Sequence, residues 1–260
     1  MIGVITREAE AVTTLLRSAR VPPEGVLFVH CAFRKLAAAG YEVDGFIQAL
    51  LAYMAQGTLV MPTMSWRIVT PQNPVFDELA TPSHVGILAE TFRTRYASHR
   101  SLHPTHSVAA HGRLAAHLTA GHHLDDTPCS RESPYGRATQ ENAHVLMLGV
   151  GLERCTAIHH AEETIAPEIY LKPPLEAELY ECRSRSGETY RVRLRRHLKL
   201  NRDFPQFARP LTETGRLRRG EIAGAPFLAV SQRDLLAEVR AALARDPRAI
   251  ITPPGAPIIP

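Results

Sequence analysis

The stretch that decides the fold is VLFVHCAFRKLAAAGYEVDGFIQALLAYMAQGTLVM, residues 26–61. Its two apolar ends, 26–29 and 58–61, have the length and composition of buried strands. Asp44 is predicted to cap the helix between them. The apolar face of that helix comprises Phe46, Ile47, Leu50, Leu51 and Met54. This order is a βαβ unit, so residues 30–43 form a loop at the carboxyl end of a parallel strand, where α/β folds bind ligands.

The elements on either side extend this pattern. Helical spacing of apolar residues predicts helices near 6–19, 82–96 and 232–244, and apolar runs predict strands at 107–110 and 145–148. Beyond Glu163, shorter alternating runs interrupted by Pro and Gly are typical of antiparallel strands. We therefore predict an α/β protein with a mainly parallel central sheet flanked by helices. It is expected to form a single domain over 1–260, in which a β-rich C-terminal part, 164–260, closes the cleft of an α/β part, 1–163.

Composition excludes several classes of protein. The 260 residues are 45% apolar and 22% charged, as in ordinary globular proteins. No segment approaches the roughly 20 apolar residues of a membrane span, and charged residues occupy the N-terminal region, so a cytoplasmic protein with no membrane partner is expected. The four cysteines show no C-x-x-C spacing, which indicates neither a zinc knuckle nor a disulfide framework.

The charge is unevenly distributed along the chain. Residues 1–163 carry 13 Lys and Arg against 15 Asp and Glu, whereas residues 164–260 carry 17 against 11. Near 191–194, Arg alternates with Val and Leu, which predicts a strand with one charged face. That face is either the solvated side of an edge strand or a surface for an anionic ligand. A non-enzymatic nucleic-acid binder is a further alternative, but no interleaved aromatic residues accompany the arginines, and no specific nucleic-acid partner is predicted.

One histidine–carboxylate pair has the spacing of a catalytic base and its support. His159 and Glu162 lie three residues apart, and therefore on one face of a helix that begins near Thr156. The carboxylate would orient the imidazole and stabilise its protonated form. Taken alone, such a pair is more often an ordinary structural interaction. The adjacent His160 would point about 100° away on the helix.

Several further motifs follow one another in order between residues 26 and 163. They are Gly57-Thr58-Leu59-Val60-Met61-Pro62-Thr63, Thr81-Pro82-Ser83, Arg100-Ser101-Leu102-His103-Pro104-Thr105-His106-Ser107, Ser133-Pro134-Tyr135-Gly136, Gly149-Val150-Gly151 and Thr156-Ala157-Ile158-His159-His160-Ala161-Glu162-Glu163. In this order the motifs resemble those of the aminoglycoside 3-N-acetyltransferase family, which has the antibiotic N-acetyltransferase fold. The resemblance implies transfer of an acetyl group from acetyl-CoA to an amine, with His159 as the base and Glu162 in support.

The resemblance also implies where the two substrates bind. The loop after the first strand is expected to hold CoA; in the family it is His-Ser-Ser-Leu-like, but here Cys31, Ala32 and Phe33 replace the hydroxyl residues. Backbone N–H donors survive such a replacement. The candidate cofactor residues are His30, Cys31, Ala32, Phe33, Arg34, Lys35, Thr105, His106 and Ser107. The candidate acceptor residues are Trp66, Asp77, Glu153, His160 and Glu163. An acetylated Cys31 is a less favoured alternative to direct transfer.

Alternatives remain open for the acceptor and for metal chemistry. Aminoglycosides are polycations, whereas this chain has a net charge of +4, so a biosynthetic N-acetyltransferase acting on a neutral or anionic amine is the alternative to antibiotic resistance. The thirteen histidines raise a metal-dependent hydrolase as a rival, but the spacing is not H-E-x-x-H and no cysteine is recruited. No metal is therefore predicted, and the partners expected are acetyl-CoA and a small amine, in a monomer or homodimer.

Overall fold

The computed structural model describes residues 6–253. The strands are β1 (Val26–Cys31), β2 (Thr58–Pro62), β3 (Val75–Asp77), β4 (His99–Arg100), β5 (Val108–Gly112), β6 (Ala143–Leu148), β7 (Glu178–Arg183), β8 (Thr189–Leu194), β9 (Arg218–Ile222) and β10 (Ala225–Ser231). The helices are α1 (Arg7–Ser18), α2 (Arg34–Ala38), α3 (Val43–Tyr53), α4 (Ile87–Arg95), α5 (Ala115–Thr119), α6 (Pro134–Arg137), α7 (Ala157–Ile165), α8 (Pro167–Tyr170), α9 (Ala208–Glu213) and α10 (Gln232–Arg245).

The strands form a seven-stranded sheet in the order β4-β5-β2-β1-β6-β10-β9 and a three-stranded sheet in the order β3-β7-β8. The α/β class is confirmed, but the large sheet is mixed rather than mainly parallel. β1 runs parallel to β2 and β6, whereas the outer pairs are antiparallel. One cause is the two-residue turn between β9 and β10, where Ala223 and Gly224 both have positive φ, because such a turn joins antiparallel strands.

The strand order creates a crevice at the carboxyl ends of the parallel strands in the large sheet. From β1 the chain passes through α3 to β2 on one side, whereas β6 pairs with the other side of β1. Loops that leave adjacent parallel strands in opposite directions open a gap at their carboxyl ends, and ligands bind there in α/β folds. The predicted βαβ unit thus places the loop after β1 at this gap.

Helices cover both faces of the large sheet, and successive side chains of β1 are buried on opposite faces. Leu27 and Val29 pack with residues of α1, α3 and α4, while Val26 and Phe28 pack with residues of α5, α7 and α10. Both faces of a central strand must be apolar in such a three-layer arrangement. The continuous apolar runs quoted first are the sequence signature of this burial.

The region after Glu163 contributes to both sheets. β9 and β10 extend the large sheet, whereas β7 and β8 pair with β3 in the small one. The predicted alternation holds in β8, an edge strand in which Arg191 and Arg193 are exposed and Val192 and Leu194 are buried. Within 6–253, no helix combines the length and apolarity needed to cross a membrane.

Two predicted helix starts are wrong. Asp44 does not cap α3, which begins at Val43; its carboxylate accepts hydrogen bonds from Tyr96 and Arg95 instead. Likewise α4 begins at Ile87 and not near residue 82, because Gly86 with φ of 132° interrupts the helical conformation.

A buried histidine makes the fold sensitive to acid. The His122 ring is inaccessible to solvent, with Nδ1 3.0 Å from Ser101 Oγ and Nε2 3.0 Å from the Pro128 carbonyl oxygen. The carbonyl can only accept, so Nε2 carries the proton of a neutral ring. Burial lowers the pKa of His122 to about 3.

We expect the free energy of unfolding to decrease as the pH drops from about 6.5 toward 3. In this range His122 binds a proton in the unfolded chain but stays neutral in the folded protein. This residue alone is expected to lower the free energy of unfolding by about 1.4 kcal/mol for each pH unit. Urea unfolding of the wild type and His122→Gln between pH 7.5 and 5 measures it. The variant should show a shallower dependence on pH, and an identical slope would contradict the assignment.

Candidate active site

The crevice contains a cavity of about 550 Å³. Its walls come from the ends of β1 and β2, the loop after β6, the start of α4, the first turn of α7 and the segment before α9. The lining residues include Val29, His30, Cys31, Ala32, Phe33, Met61, Met64, Trp66, Arg67, His84, Gly86, His106, Val150, Glu153, Arg154, Thr156, His159 and Phe204. The size and the mixture of apolar walls with a few polar groups are typical of small-molecule sites.

His159 projects from α7 into this cavity, and a buried carboxylate holds its ring. Nδ1 of His159 lies 2.7 Å from Oε2 of Glu162, one turn later. The other carboxylate oxygen, Oε1, accepts a hydrogen bond of 2.8 Å from Nε of Arg202. Since Nδ1 is engaged by the carboxylate, Nε2 is the ring nitrogen left to accept a proton.

The charge of Glu162 is maintained although the residue is inaccessible to solvent. Burial alone would raise the pKa of this carboxyl, but His159 and Arg202 favour the ionised form and together hold the pKa below its ordinary value. The carboxylate is therefore negative near neutral pH and can stabilise an imidazolium at His159.

Two rings from a later segment complete the surroundings of His159. His197 stacks on it with 4.2 Å between ring centroids, and Phe204 contacts it edge-on at 5.2 Å. The sequence patterns did not predict His197, Phe204 and Arg202 as site residues. The segment that carries them lies outside regular strands and helices, so no periodic pattern marked them.

Gly149 allows the loop after β6 to approach the loop after β1. Its φ is 68°, and a Cβ at this position would lie 2.8 Å from the Ala32 carbonyl oxygen. A side chain would therefore push the two cavity walls apart. This explains the first glycine of the Gly149-Val150-Gly151 motif.

The predicted cofactor loop is only partly at the cavity. His30, Cys31, Ala32 and Phe33 line it, whereas Arg34 and Lys35 do not. The reason is that α2 begins at Arg34 and directs the chain away, and Nζ of Lys35 donates to the Gly224 carbonyl oxygen at 3.0 Å. Neither cation lines this cavity, and their contact with the cofactor stays a prediction.

In the second predicted loop, His106 alone lines the cavity. Thr105 and Ser107 are buried behind it: Thr105 Oγ1 lies 2.8 Å from Nδ1 of His106, and Ser107 Oγ lies 2.9 Å from Thr63 Oγ1. The two hydroxyl residues therefore support the loop from behind, and their contact with the cofactor stays a prediction.

Among the predicted acceptor residues, Trp66 and Glu153 line the cavity and three others do not. Asp77 stabilises a turn, because its Oδ1 accepts the N–H groups of Leu79 and Ala80. His160 is buried with Nδ1 2.8 Å from the Cys129 carbonyl oxygen. Glu163 is buried too, and accepts the Cys129 N–H. None of these three side chains lines the cavity, and their contact with the acceptor stays a prediction.

The thiol of Cys31 is a poor nucleophile in this environment. Burial raises its pKa to about 12, so the thiolate is scarce near neutral pH. This disfavours an acetylated Cys31 as an intermediate.

The sequence of one known family matches most of the chain. Residues 28–244 match the sequence profile described as aminoglycoside 3-N-acetyltransferase. The chain belongs to the aminoglycoside 3-N-acetyltransferase family. The resemblance noted from the motifs is thereby confirmed.

Individual relatives within the family cover nearly the whole chain. Aminoglycoside N(3)-acetyltransferase IV of Salmonella sp is 31% identical over 95% of this chain and 91% of its own length. A mutant of aminoglycoside acetyltransferase AAC(3)-IVa, solved in complex with gentamicin, superposes with a TM-score of 0.81 at 30% identity, covering 98% of this chain and 94% of the other. AAC-IIIb, solved as a binary complex with CoASH, shares the fold with a TM-score of 0.75 at 22% identity, covering 96% and 98%.

The cavity of this acetyltransferase family member is lined by charged groups of both signs. Arg67 and Arg154 line the walls together with Glu153, whose Oε1 accepts the Gly151 N–H at 3.0 Å. The guanidinium of Arg67 lies over the Trp66 ring, 4.9 Å from its centroid. The cavity therefore lacks the excess of acidic groups that a polycation would favour.

Proposed function

We propose that the protein transfers the acetyl group of acetyl-CoA to an amino group of an aminoglycoside, with His159 as the general base. One observation carries the proposal: in a member of this family, a histidine held by a buried carboxylate projects into the cavity at the carboxyl ends of the parallel strands. A neutral amine is the nucleophile in such a reaction, so a positioned base near its N–H is required.

The chemistry follows from the two ring nitrogens. As the amine nitrogen attacks the thioester carbon, Nε2 of His159 accepts the amine proton, and Glu162 stabilises the resulting imidazolium. The C–N bond forms, the C–S bond breaks, and the CoA thiolate leaves and receives that proton. The products are an N-acetyl amine and CoA. Acetyl-CoA supplies the acetyl group, and the apolar wall formed by Val29, Phe33 and Met61 suits its pantetheine arm.

The 3-amino group is proposed as the acceptor because of the relatives. The Salmonella protein is named an N(3)-acetyltransferase, and AAC(3)-IVa has been solved with gentamicin and with apramycin at 30% and 29% identity to this chain. A role in resistance to aminoglycosides is proposed for this chain by analogy with these relatives.

A second acceptor class, an amine that carries a phosphate or carboxylate, is favoured by the two arginines at the cavity. Neighbouring residues of opposite charge, Glu153 and Arg154, allow a matched test. We expect Glu153→Gln to lower kcat/KM for a kanamycin-like aminoglycoside about 3- to 10-fold at low salt and Arg154→Gln to raise it, because each change alters the cavity charge by one. Glutamine at 153 keeps an acceptor for the Gly151 N–H.

A thiol-release assay with acetyl-CoA measures these values for a panel of aminoglycosides and phosphate-bearing amines. A different result, in which Arg154→Gln lowers kcat/KM for the anionic amines and for no aminoglycoside, would favour the second class. The KM for acetyl-CoA in each variant shows whether Arg154 instead serves the CoA phosphates. The changes in kcat/KM for the acceptor amine should become smaller at high salt, since salt screens charges over about 8 to 10 Å.

A further inference from the structure

Three potential metal ligands meet beside the His159 ring, on the side of His197. They are Cys129 from the loop before α6, Glu163 from α7 and His197 from the segment after β8. One ligand atom of each lies within 4.8 Å of the other two. Within this Cys129 cluster, Nε2 of His197 is 2.7 Å from Oε1 of Glu163. A thiolate, an imidazole and a carboxylate are the donor types that zinc selects.

The cluster is shielded from solvent. The side chain of Cys129 is fully buried, and those of Glu163 and His197 are 2% and 10% exposed. Although Nε2 of His197 lies close to Glu163, it makes no hydrogen bond of acceptable geometry within residues 6–253. A buried polar nitrogen without a hydrogen bond is costly, and this one lies in a group of three potential metal ligands.

The protein backbone holds these groups in place. The Cys129 N–H donates to both carboxylate oxygens of Glu163, at 2.8 and 2.9 Å, and the Cys129 carbonyl oxygen lies 2.8 Å from Nδ1 of His160. Next to His197, the Leu198 N–H donates to the Tyr170 carbonyl oxygen at 2.8 Å. Such outer contacts are what orient ligands in metal sites.

Burial opposes the charged form of all three side chains. Burial raises the pKa of Glu163 to about 8 and that of Cys129 well above its ordinary value, and it lowers the pKa of His197. A divalent cation would reverse this for the thiol and the carboxyl, since it stabilises their ionised forms.

We propose that Cys129, Glu163 and His197 bind a zinc ion that ties three separate segments of the chain together beside His159. The alternative triplet of His159, Glu162 and His197 is disfavoured, because Glu162 is already paired with Arg202, whose positive charge would repel the ion. Tetrahedral ligands about 2.0 to 2.1 Å from zinc are roughly 3.3 Å apart, so His197 and Glu163 must separate by about 0.6 Å. The ion would position His197, and through its stacking the His159 ring.

Metal analysis of the tag-free protein, dialysed against metal-free buffer, tests the site independently of acetyl transfer. We expect one zinc per chain. Cobalt exchanged into the site should give a thiolate-to-cobalt charge-transfer band that is present in the control Cys182→Ala and lost in Cys129→Ala. Cys182 is a matched control because it is a buried, free cysteine in the small sheet. Removing the metal should lower Tm by about 5 °C or more.

A second variant covers the case in which Cys129→Ala fails to fold. Glu163→Gln retains the shape of the side chain and should weaken zinc binding about tenfold or more. The proposal is overturned if the wild type binds no stoichiometric zinc when zinc is added, or if zinc content and affinity are unchanged in both Cys129→Ala and Glu163→Gln.

Discussion

Replacing His159 with alanine should lower kcat by about 10²- to 10⁴-fold while leaving the affinity for CoA nearly unchanged. The expected loss is that of a general base, which acts on the chemical step and not on binding of the thioester. Steady-state thiol release gives kcat, and calorimetric titration with CoA gives the affinity. Turnover at the wild-type rate would remove His159 from the mechanism.

The neighbouring His160→Ala is the matched control. His160 is buried against the Cys129 carbonyl oxygen and does not line the cavity, so its loss should affect stability more than kcat. We expect a lower Tm and a much milder decrease in turnover. If His160→Ala impaired kcat more than His159→Ala, the roles of the two histidines would be reversed.

The second large effect is expected for Glu162→Gln, which should lower kcat by about 10²-fold or more. Arg202 can only donate, so the glutamine oxygen would face Nε of Arg202, as Oε1 of Glu162 does now. The amide NH₂ would then face Nδ1 of His159 and donate to it. That arrangement protonates Nε2, the nitrogen that must accept the amine proton.

Removing the arginine should partly reverse this defect. In the double variant Glu162→Gln with Arg202→Met, the amide is free to turn its oxygen toward Nδ1, and kcat should exceed that of Glu162→Gln alone. The ¹⁵N chemical shifts of the His159 ring report which nitrogen is protonated, a quantity that a merely structural role of Glu162 would not change. Additive losses and an unchanged tautomer would contradict this explanation.

Local patterns were sufficient for the centre of the fold. The apolar runs at 26–29 and 58–61, with one amphipathic helix between them, define parallel neighbours, and the alternation of Arg191 to Leu194 defines an edge strand. The antiparallel pairs β7–β8 and β9–β10 lie beyond Glu163, where antiparallel strands are predicted. The antiparallel pairs β2–β5, β4–β5 and β6–β10 were not predicted, because the direction of a strand depends on its connection. The turn at Ala223 and Gly224 carries a local signal for the direction of β9 and β10.

In the candidate site, too, local patterns predict some contacts, while others depend on the tertiary fold. His159 and Glu162 are one turn apart on a helix, so their spacing alone brings them together. Arg202 is forty residues further along, and its approach to Glu162 depends on tertiary packing. Asp77 was assigned to the acceptor by charge, although an aspartate at the end of a strand commonly accepts backbone N–H groups of a turn, as it does here.

The measurement that bears most directly on the proposed activity is NMR identification of the acetylated nitrogen after incubation of the protein with acetyl-CoA and gentamicin or apramycin. We expect a single acetyl group on the 3-amino nitrogen, formed by the wild type and at most slowly by His159→Ala. Acetylation elsewhere on the aminoglycoside, hydrolysis of acetyl-CoA without transfer, or equal product from His159→Ala would contradict it.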